Sequence, residues 1–119
     1  MSILIYIYNN EMIKRWMFEK YDGVRGFWNP DRQTFFSRTG KPFLFPSFIT
    51  QQMPGYFLDG ELWFGRNSFQ RSMQLSHRKD PSLIDWNNFS YQVFDIPTYP
   101  GSYQQRYLYL GTFPFHLFS

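Results

Sequence analysis

The hydrophobic residues of this chain fall into short runs separated by turn-forming residues, a pattern typical of a sheet with few helices. Tight connections at Asp22-Gly23 and Asn29-Pro30-Asp31 favour an antiparallel meander, because such short loops join neighbouring strands. The pattern therefore predicts an α+β fold with a mostly antiparallel sheet. The expected strands are Ser2–Tyr8 (alternatively a frayed, non-native start), Trp16–Lys20, Val24–Trp28, Gln33–Ser37, Phe57–Phe64 and Phe89–Ile96.

Three short segments have helical rather than strand character. Pro46–Gln52 can form a helix, since proline is tolerated in a first helical turn. Ser68–Leu75 is a second candidate, with the Ser68 hydroxyl as its cap. Gly101–Leu110 can begin a third. No periodic pattern accounts for the whole of Tyr99–Ser119, however, so we expect this segment to pack poorly.

Composition narrows the functional classes. Aromatic residues make up 24% of the chain, which suits half-buried sheet surfaces and argues against disorder. The absence of cysteine excludes disulfides, thiolate zinc sites and thiol catalysis, and His77 and His116 share no ligand spacing. The net charge of +3 is compatible with nucleotide or nucleic acid but is a weak signal. The apolar N-terminal run is too short to span a bilayer and lacks a basic leader, so we expect an intracellular protein.

The segment Lys20-Tyr-Asp-Gly-Val-Arg25 brings both signs of charge into one small space. A lysine nucleophile must be neutral when it attacks, and desolvation or nearby cations can lower its pKa. The forked guanidinium of Arg25 suits a ribose hydroxyl or a phosphate oxygen. An ordinary surface hairpin with a lysine–aspartate pair explains the same hexapeptide almost equally well, since short motifs match often by chance.

The segment Leu58-Asp-Gly-Glu-Leu-Trp63 predicts a strand with two carboxylates, Asp59 and Glu61, on one face. Such carboxylates repel each other unless a cation or hydrogen-bond donors lie opposite them, and a ribose hydroxyl or magnesium would serve. The alternative is a solvated outer strand face. Gly60 counts slightly against that alternative, because glycine in a strand often marks the close approach of a ligand or of backbone.

The strand Tyr91-Gln-Val-Phe-Asp-Ile-Pro97 places Phe94 on the face opposite Tyr91 and Asp95. An aromatic ring in a nucleotide pocket can stack on a base. A phenylalanine in a strand is also an ordinary core residue, and the strand alone does not separate the two interpretations.

Four segments occur in an order that resembles the motif series of ATP-dependent DNA ligases: Lys20–Arg25, Ser37–Gly40, Leu58–Trp63 and Val93–Pro97. The resemblance extends from Trp16 to Pro97 and includes Gly26-Phe27-Trp28 and Gly65-Arg66. It implies a partial nucleotidyltransferase domain, the adenylation domain of a ligase, at residues 16–97. Residues 1–15 would be an N-terminal extension and residues 98–119 a divergent C-terminal tail.

The resemblance also implies roles for five residues. Lys20 would attack the α-phosphate of ATP and carry AMP. Arg25 would lie near the nucleotide sugar, and Arg38 would help to hold phosphate. Glu61 would contact the ribose and support a magnesium site, and Phe94 would pack against adenine. The chain would then seal nicked duplex DNA in repair, replication or recombination, as a monomer with no membrane partner and with ATP and Mg2+ as cofactors.

The sequence departs from the family pattern after Pro97. No glutamate follows that position and the last lysine is Lys79, so the late metal-site glutamate and the closing Lys-x-Lys element of the family have no counterpart. We therefore expect a truncated product that forms little or no lysyl-AMP by itself. Two alternatives remain: a non-catalytic nucleotide- or DNA-binding remnant, and an RNA ligase or capping-type nucleotidyltransferase.

Overall fold

The computed structural model describes residues 4–7, 23–65, 69–110 and 112. The predicted elements within these ranges are confirmed with shifts of at most two residues at their ends, whereas the predicted strand Trp16–Lys20 lies outside them. The strands are β1 Leu4–Ile7, β2 Val24–Asn29, β3 Thr34–Phe36, β4 Leu58–Trp63 and β5 Ser90–Asp95. The helices are α1 Ser47–Thr50, α2 Phe69–Ser76 and α3 Tyr103–Leu110, with one 3-10 turn at Pro81–Leu83.

The five strands form one sheet in the order β1-β5-β4-β2-β3. In the order β5, β4, β2 and β3 each strand is antiparallel to its neighbour, which confirms the α+β class and the mostly antiparallel sheet. Strand β1 lies parallel to β5, with Leu4 opposite Ser90. Residues 4–7 are therefore an edge strand, in agreement with the strand interpretation of the N-terminal run. No helix within the described ranges is long and apolar enough to cross a membrane.

One face of the sheet carries an aromatic core. Alternation along the strands directs Trp28, Leu62 and Tyr91 to this face, where each is at most 1% exposed. The Phe35 ring centroid lies 4.8 Å from that of Trp28 and 5.0 Å from that of Tyr91, the latter edge to face. Such ring pairs contribute stabilisation beyond that of the area that they bury, so these aromatic residues help to hold the core together.

Two facing glycines, Gly26 on β2 and Gly60 on β4, make room for these side chains. A Cβ at Gly60 would collide with the backbone carbonyl of Gln92 and lie 2.9 Å from the Tyr91 ring. The Tyr91 hydroxyl in turn donates a hydrogen bond of 2.7 Å to the Gly26 carbonyl. The expectation that Gly60 marks a close approach is thus confirmed, and what approaches is neighbouring backbone and an aromatic ring.

The C-terminal helix packs on the sheet. Leu110 of α3 is fully buried, and the rings of Tyr99 and Tyr109 stack with centroids 3.8 Å apart. Arg106 donates from Nε to Oδ1 of Asp95 at 2.8 Å, which ties α3 to β5. The expectation of poor packing beyond Tyr99 is therefore wrong for residues 99–110, because Leu110 enters the core and Arg106 bonds to the preceding strand, contacts that no periodic pattern reveals.

Candidate functional site

The sheet face opposite the aromatic core carries polar side chains where a solvated surface would be expected. Arg25, Glu61 and Gln92 lie side by side on β2, β4 and β5, because these strands pair Arg25 with Glu61 and Glu61 with Gln92. Asp59 lies two positions from Glu61 on the same face. Asp59 and Glu61 are 6% and 5% exposed, so the alternative of a solvated outer strand face is wrong.

Arg25 and Asp59 form a two-pronged ion pair across β2 and β4. Arg25 Nε donates to Asp59 Oδ1 at 2.7 Å, and Nη2 donates to Oδ2 at 2.6 Å. The aspartate side chain is 8% exposed and the arginine side chain 41% exposed. This planar fork fixes the guanidinium in one orientation, and the hydrogen bond to Asp59 is the main reason that the pKa of Arg25 is raised.

Two aromatic rings hold the same guanidinium. The Arg25 Cζ lies 4.8 Å from the centroid of the Phe94 ring and 5.1 Å from that of Phe27. Cation–π contacts of this kind are attractive and increase in strength as water is excluded. Phe94 therefore lies on the face opposite Tyr91, as strand alternation predicts, in contact with Arg25. The prediction that Asp95 lies opposite Phe94 is not met, because a register shift pairs Asp95 with Asp59 and interrupts the alternation at this point.

Glu61 is the most perturbed carboxyl group of this face. Its pKa is raised from 4.5 to about 7, chiefly because burial penalises the charged form; the nearby Arg25 lowers it and Asp59 raises it further. A Cβ at Gly23 would lie 2.6 Å from Glu61 Oε1, so the carboxyl group packs directly against the chain that leads into β2. A cation or hydrogen-bond donor brought to this site would stabilise the ionised form.

Gln92 is a polar residue of this face that the sequence did not single out. It is 3% exposed, and its Nε2 donates to the Ser90 hydroxyl at 2.9 Å. Its Oε1 is buried and has no hydrogen-bond partner among the residues that the structure describes. Burying an acceptor without a donor is costly, which makes this amide a candidate contact for a ligand. Only the pairing of β4 with β5 reveals its position.

Arg38 lies apart from this group, in the turn that follows β3. The turn is closed by hydrogen bonds from the Ser37 N–H to the Lys41 carbonyl at 2.7 Å and from the Gly40 N–H to the Ser37 carbonyl at 2.9 Å. Gly40 has φ of +86°, the left-handed region that glycine adopts most readily. Arg38 is exposed and lines a cavity of about 530 Å3, which Arg25 also borders.

The predicted site residues are thus partly assembled. Arg25, Glu61 and Phe94 lie together on one sheet face, and Arg38 is connected to them through the cavity that Arg25 borders. Lys20 lies outside the described residues. Within the described ranges no group of three or more histidine or acidic side chains could hold a metal ion, so Glu61 stands without a ready-made metal cluster.

The fold and this face define the class of protein. A solved structure from a structure-function analysis of Lig E DNA ligases, concerned with DNA binding by a minimal scaffold, is similar with a TM-score of 0.60 and 26% identity. The similarity covers 76% of this chain and 35% of that one. The α+β sheet described above is therefore that of part of a DNA ligase.

Sequence comparison also indicates a DNA ligase. The chain is 34% identical over 105 residues to the DNA ligase of Haemophilus influenzae strain Rd, a match that covers 87% of this chain and 38% of that protein. The chain belongs to the DNA ligase family, as the motif series predicted, and spans about 38% of this relative's length. No protein-family model matches it.

Proposed function

We propose that this chain supplies the nucleotide-binding face of an ATP-dependent nick-sealing reaction. The observation that carries the proposal is the assembly of Arg25, Glu61 and Phe94 on one sheet face in a chain related to DNA ligases. These are three of the residues for which the motif series predicts nucleotide contacts, and they come from three different strands. The proximity of these three residues favours a ligand site over the alternative of an ordinary surface hairpin.

In the proposed reaction, the neutral Lys20 amine attacks the α-phosphate of ATP. A phosphorus–nitrogen bond forms, the phosphorus–oxygen bond to pyrophosphate breaks, and the amine proton passes to solvent. AMP is then transferred to the 5′-phosphate of a nick, and the 3′-hydroxyl displaces AMP to join the strands. Such transfers depend mainly on positioning and on neutralising oxygen charge, which basic side chains and magnesium provide.

The described residues have separate tasks in this proposal. Glu61 accepts a hydrogen bond from the ribose, and Phe94 packs against adenine. Arg25 is held by Asp59 and two rings, so its charge is oriented before the nucleotide binds. Magnesium commonly uses only one or two carboxylates together with substrate phosphates, so the single carboxylate of Glu61 fits a site completed by ATP.

The test is covalent labelling. The chain is incubated with magnesium and α-labelled ATP, and labelled protein is detected on a denaturing gel and by intact mass. GTP and NAD in place of ATP separate capping-type and NAD-dependent transfer. A fusion of this chain to the remaining part of the Haemophilus ligase is tested in parallel, because the closing Lys-x-Lys element has no counterpart after Lys79.

We expect weak labelling of the chain alone and strong ATP labelling of the fusion, lost in Lys20→Ala and kept in the matched control Lys79→Ala. Losing an electrostatic group that stabilises the transition state costs on the order of a hundredfold in rate. Labelling that survives Lys20→Ala would remove the nucleophile from the proposal. Nucleotide binding without any labelling, even in the fusion, would instead favour the non-catalytic alternative.

A further inference from the structure

A cavity of about 530 Å3 lies between the turn after β3, the start of β2 and the end of α2. We call it the turn pocket. Its lining includes four basic residues, Arg25, Arg38, Lys41 and Arg78, and no acidic residue. A concave site lined by charge of one sign concentrates its field on a ligand of opposite charge.

Three of these cations keep their charge available to a ligand. Arg25 is neutralised by Asp59, but Arg38, Lys41 and Arg78 form no ion pair with any residue in the described part of the chain. Lys41 is exposed, and its side chain makes no hydrogen bond to another described residue. The pocket therefore has an excess positive charge that no acidic side chain of its lining compensates.

Arg78 is placed by an unusual backbone conformation. It has φ of +56° at the end of α2, where its N–H bonds to the Leu75 carbonyl at 3.1 Å and the next N–H, of Lys79, bonds to the Gln74 carbonyl at 3.0 Å. This is the Schellman arrangement, in which glycine is the favoured residue. An arginine at such a position carries a conformational cost, so its side chain must provide a compensating contact.

That side chain joins the helix to the turn. Arg78 Nε donates to the Pro42 carbonyl at 2.9 Å, Nη1 donates to the Ser76 carbonyl at 3.0 Å, and Cζ lies 5.6 Å from the centroid of the Phe43 ring. Neutral carbonyls orient a guanidinium without cancelling its charge. The contact thus holds the two walls of the turn pocket together and fixes a positive charge at their junction.

The turn itself adds hydroxyl groups in a rigid arrangement. The Ser37 hydroxyl accepts from the Lys41 N–H at 3.1 Å and lies 3.1 Å from the Thr39 hydroxyl. Basic side chains combined with hydroxyl and backbone N–H donors are the groups that bind phosphate oxygens in proteins. We propose that Lys41 and Arg78, which belong to none of the motifs, supply part of the positive charge with which the turn pocket binds a phosphate group, beside Arg38, for which the motif resemblance already implies a phosphate contact.

The phosphate can come from a DNA strand or from the nucleotide triphosphate. This inference deepens the proposed function, and it rests on that proposal for the choice between these two sources. The binding of a phosphate group rests on the pocket alone. Inorganic tripolyphosphate is therefore the first probe, because it binds without any chemistry at Lys20, and it is followed by ATP and by a nicked duplex with a 5′-phosphate.

Affinities are measured without magnesium, by calorimetry for tripolyphosphate and ATP and by fluorescence anisotropy for labelled DNA. The variants are Lys41→Gln and Arg78→Gly, the latter chosen because glycine suits the left-handed backbone at that position. Arg78→Lys keeps the charge without the planar fork. The matched controls are Lys79→Gln and Arg32→Gln, which remove exposed charges outside the pocket lining.

We expect Lys41→Gln and Arg78→Gly each to weaken tripolyphosphate binding by about tenfold, in keeping with the loss of a charge-assisted hydrogen bond. Both controls should stay within about twofold, and Arg78→Lys should recover part of the loss. If the same variants also weaken DNA binding, and if the salt dependence of that binding falls by the amount expected for about one phosphate contact, the phosphate belongs to the DNA strand. A matching loss for ATP assigns it to the nucleotide.

The proposal is overturned if wild type binds none of the three probes at low salt, or if Lys41→Gln weakens binding no more than the controls do. Urea unfolding of each variant separates lost binding from lost folding; should Arg78→Gly unfold, Lys41→Gln decides the question alone. Tripolyphosphate binding through Lys41, combined with no lysyl-AMP even in the fusion to the remaining part of the Haemophilus ligase, would refute the proposed function and leave this inference standing.

Discussion

Replacing Glu61 by glutamine removes a carboxyl group whose pKa is displaced to about 7 by burial, while it keeps the size and shape of the side chain. Glu61 is 5% exposed and lies between Arg25 and Gln92 in the sheet. The substitution therefore tests directly whether the buried face penalises a negative charge before any ligand has bound.

The direction in which stability changes with pH follows from the direction of the pKa shift of Glu61. Because the pKa is raised from 4.5 to about 7, the folded state binds the proton more tightly than the unfolded chain does. The stabilisation that this proton provides is complete below pH 4.5 and is lost as the pH rises to about 7. The displacement corresponds to about 3 kcal/mol. Above pH 7, wild type carries this cost and Glu61→Gln does not.

The assay is urea unfolding, followed by tryptophan fluorescence, of both proteins from pH 4 to pH 8. Glu61→Gln and wild type should unfold at similar urea concentrations at pH 4, and the variant should be more stable by up to about 3 kcal/mol at pH 8. Asp31→Asn, at an exposed aspartate, is the matched control and should shift stability by less than about 0.5 kcal/mol. A constant difference between wild type and Glu61→Gln across the whole pH range would refute the reasoning.

Three further substitutions test separate contacts by the same unfolding assay. Asp59→Asn leaves the charge of Arg25 without its partner and should cost about 1–2 kcal/mol, a moderate value because the arginine is 41% exposed and water replaces part of the interaction. Gly60→Ala forces a Cβ against the backbone carbonyl of Gln92 and should cost about 1–3 kcal/mol. Leu110→Ala empties a fully buried position on α3 and should cost about 2–5 kcal/mol, with loss of amide protection in that helix.

Each of these substitutions has a control of the same chemical type. Asp85→Asn removes the charge of a 62% exposed side chain that lies 3.9 Å from Arg71. Gly55→Ala adds a Cβ with no atom within 4 Å, and Leu108→Ala truncates a side chain that is 66% exposed. All three controls should lie within about 0.5 kcal/mol of wild type. If any test variant is as mild as its control, the contact assigned to it does not contribute to stability.

Strand alternation predicts much of this fold because it is a local property. The period of two in Leu58–Trp63 assigned Asp59 and Glu61 to one face, and the structure has them there. Turn residues likewise defined the loop between β2 and β3. Predicting these features does not require knowing which strands are neighbours in the sheet, so a single sequence is sufficient.

Contacts between distant segments could not be predicted in this way. The ion pair of Arg25 with Asp59 depends on the register of β2 against β4, and the bond from Arg78 to the Pro42 carbonyl crosses 36 positions of sequence. The packing of Leu110 was missed because no periodic pattern of α3 reveals that this residue enters the core. The role of Lys20 stays a prediction, since that residue lies outside the described ranges.

The parallel pairing of β1 with β5 has a consequence for how the chain folds. Leu4 aligns with Ser90, so two segments that are far apart in the sequence must meet before the sheet is complete. Closing so long a loop carries an entropic cost and slows folding relative to chains with mostly local contacts. During synthesis, the first strand leaves the ribosome long before its partner exists, and its edge stays open to other strands until β5 emerges.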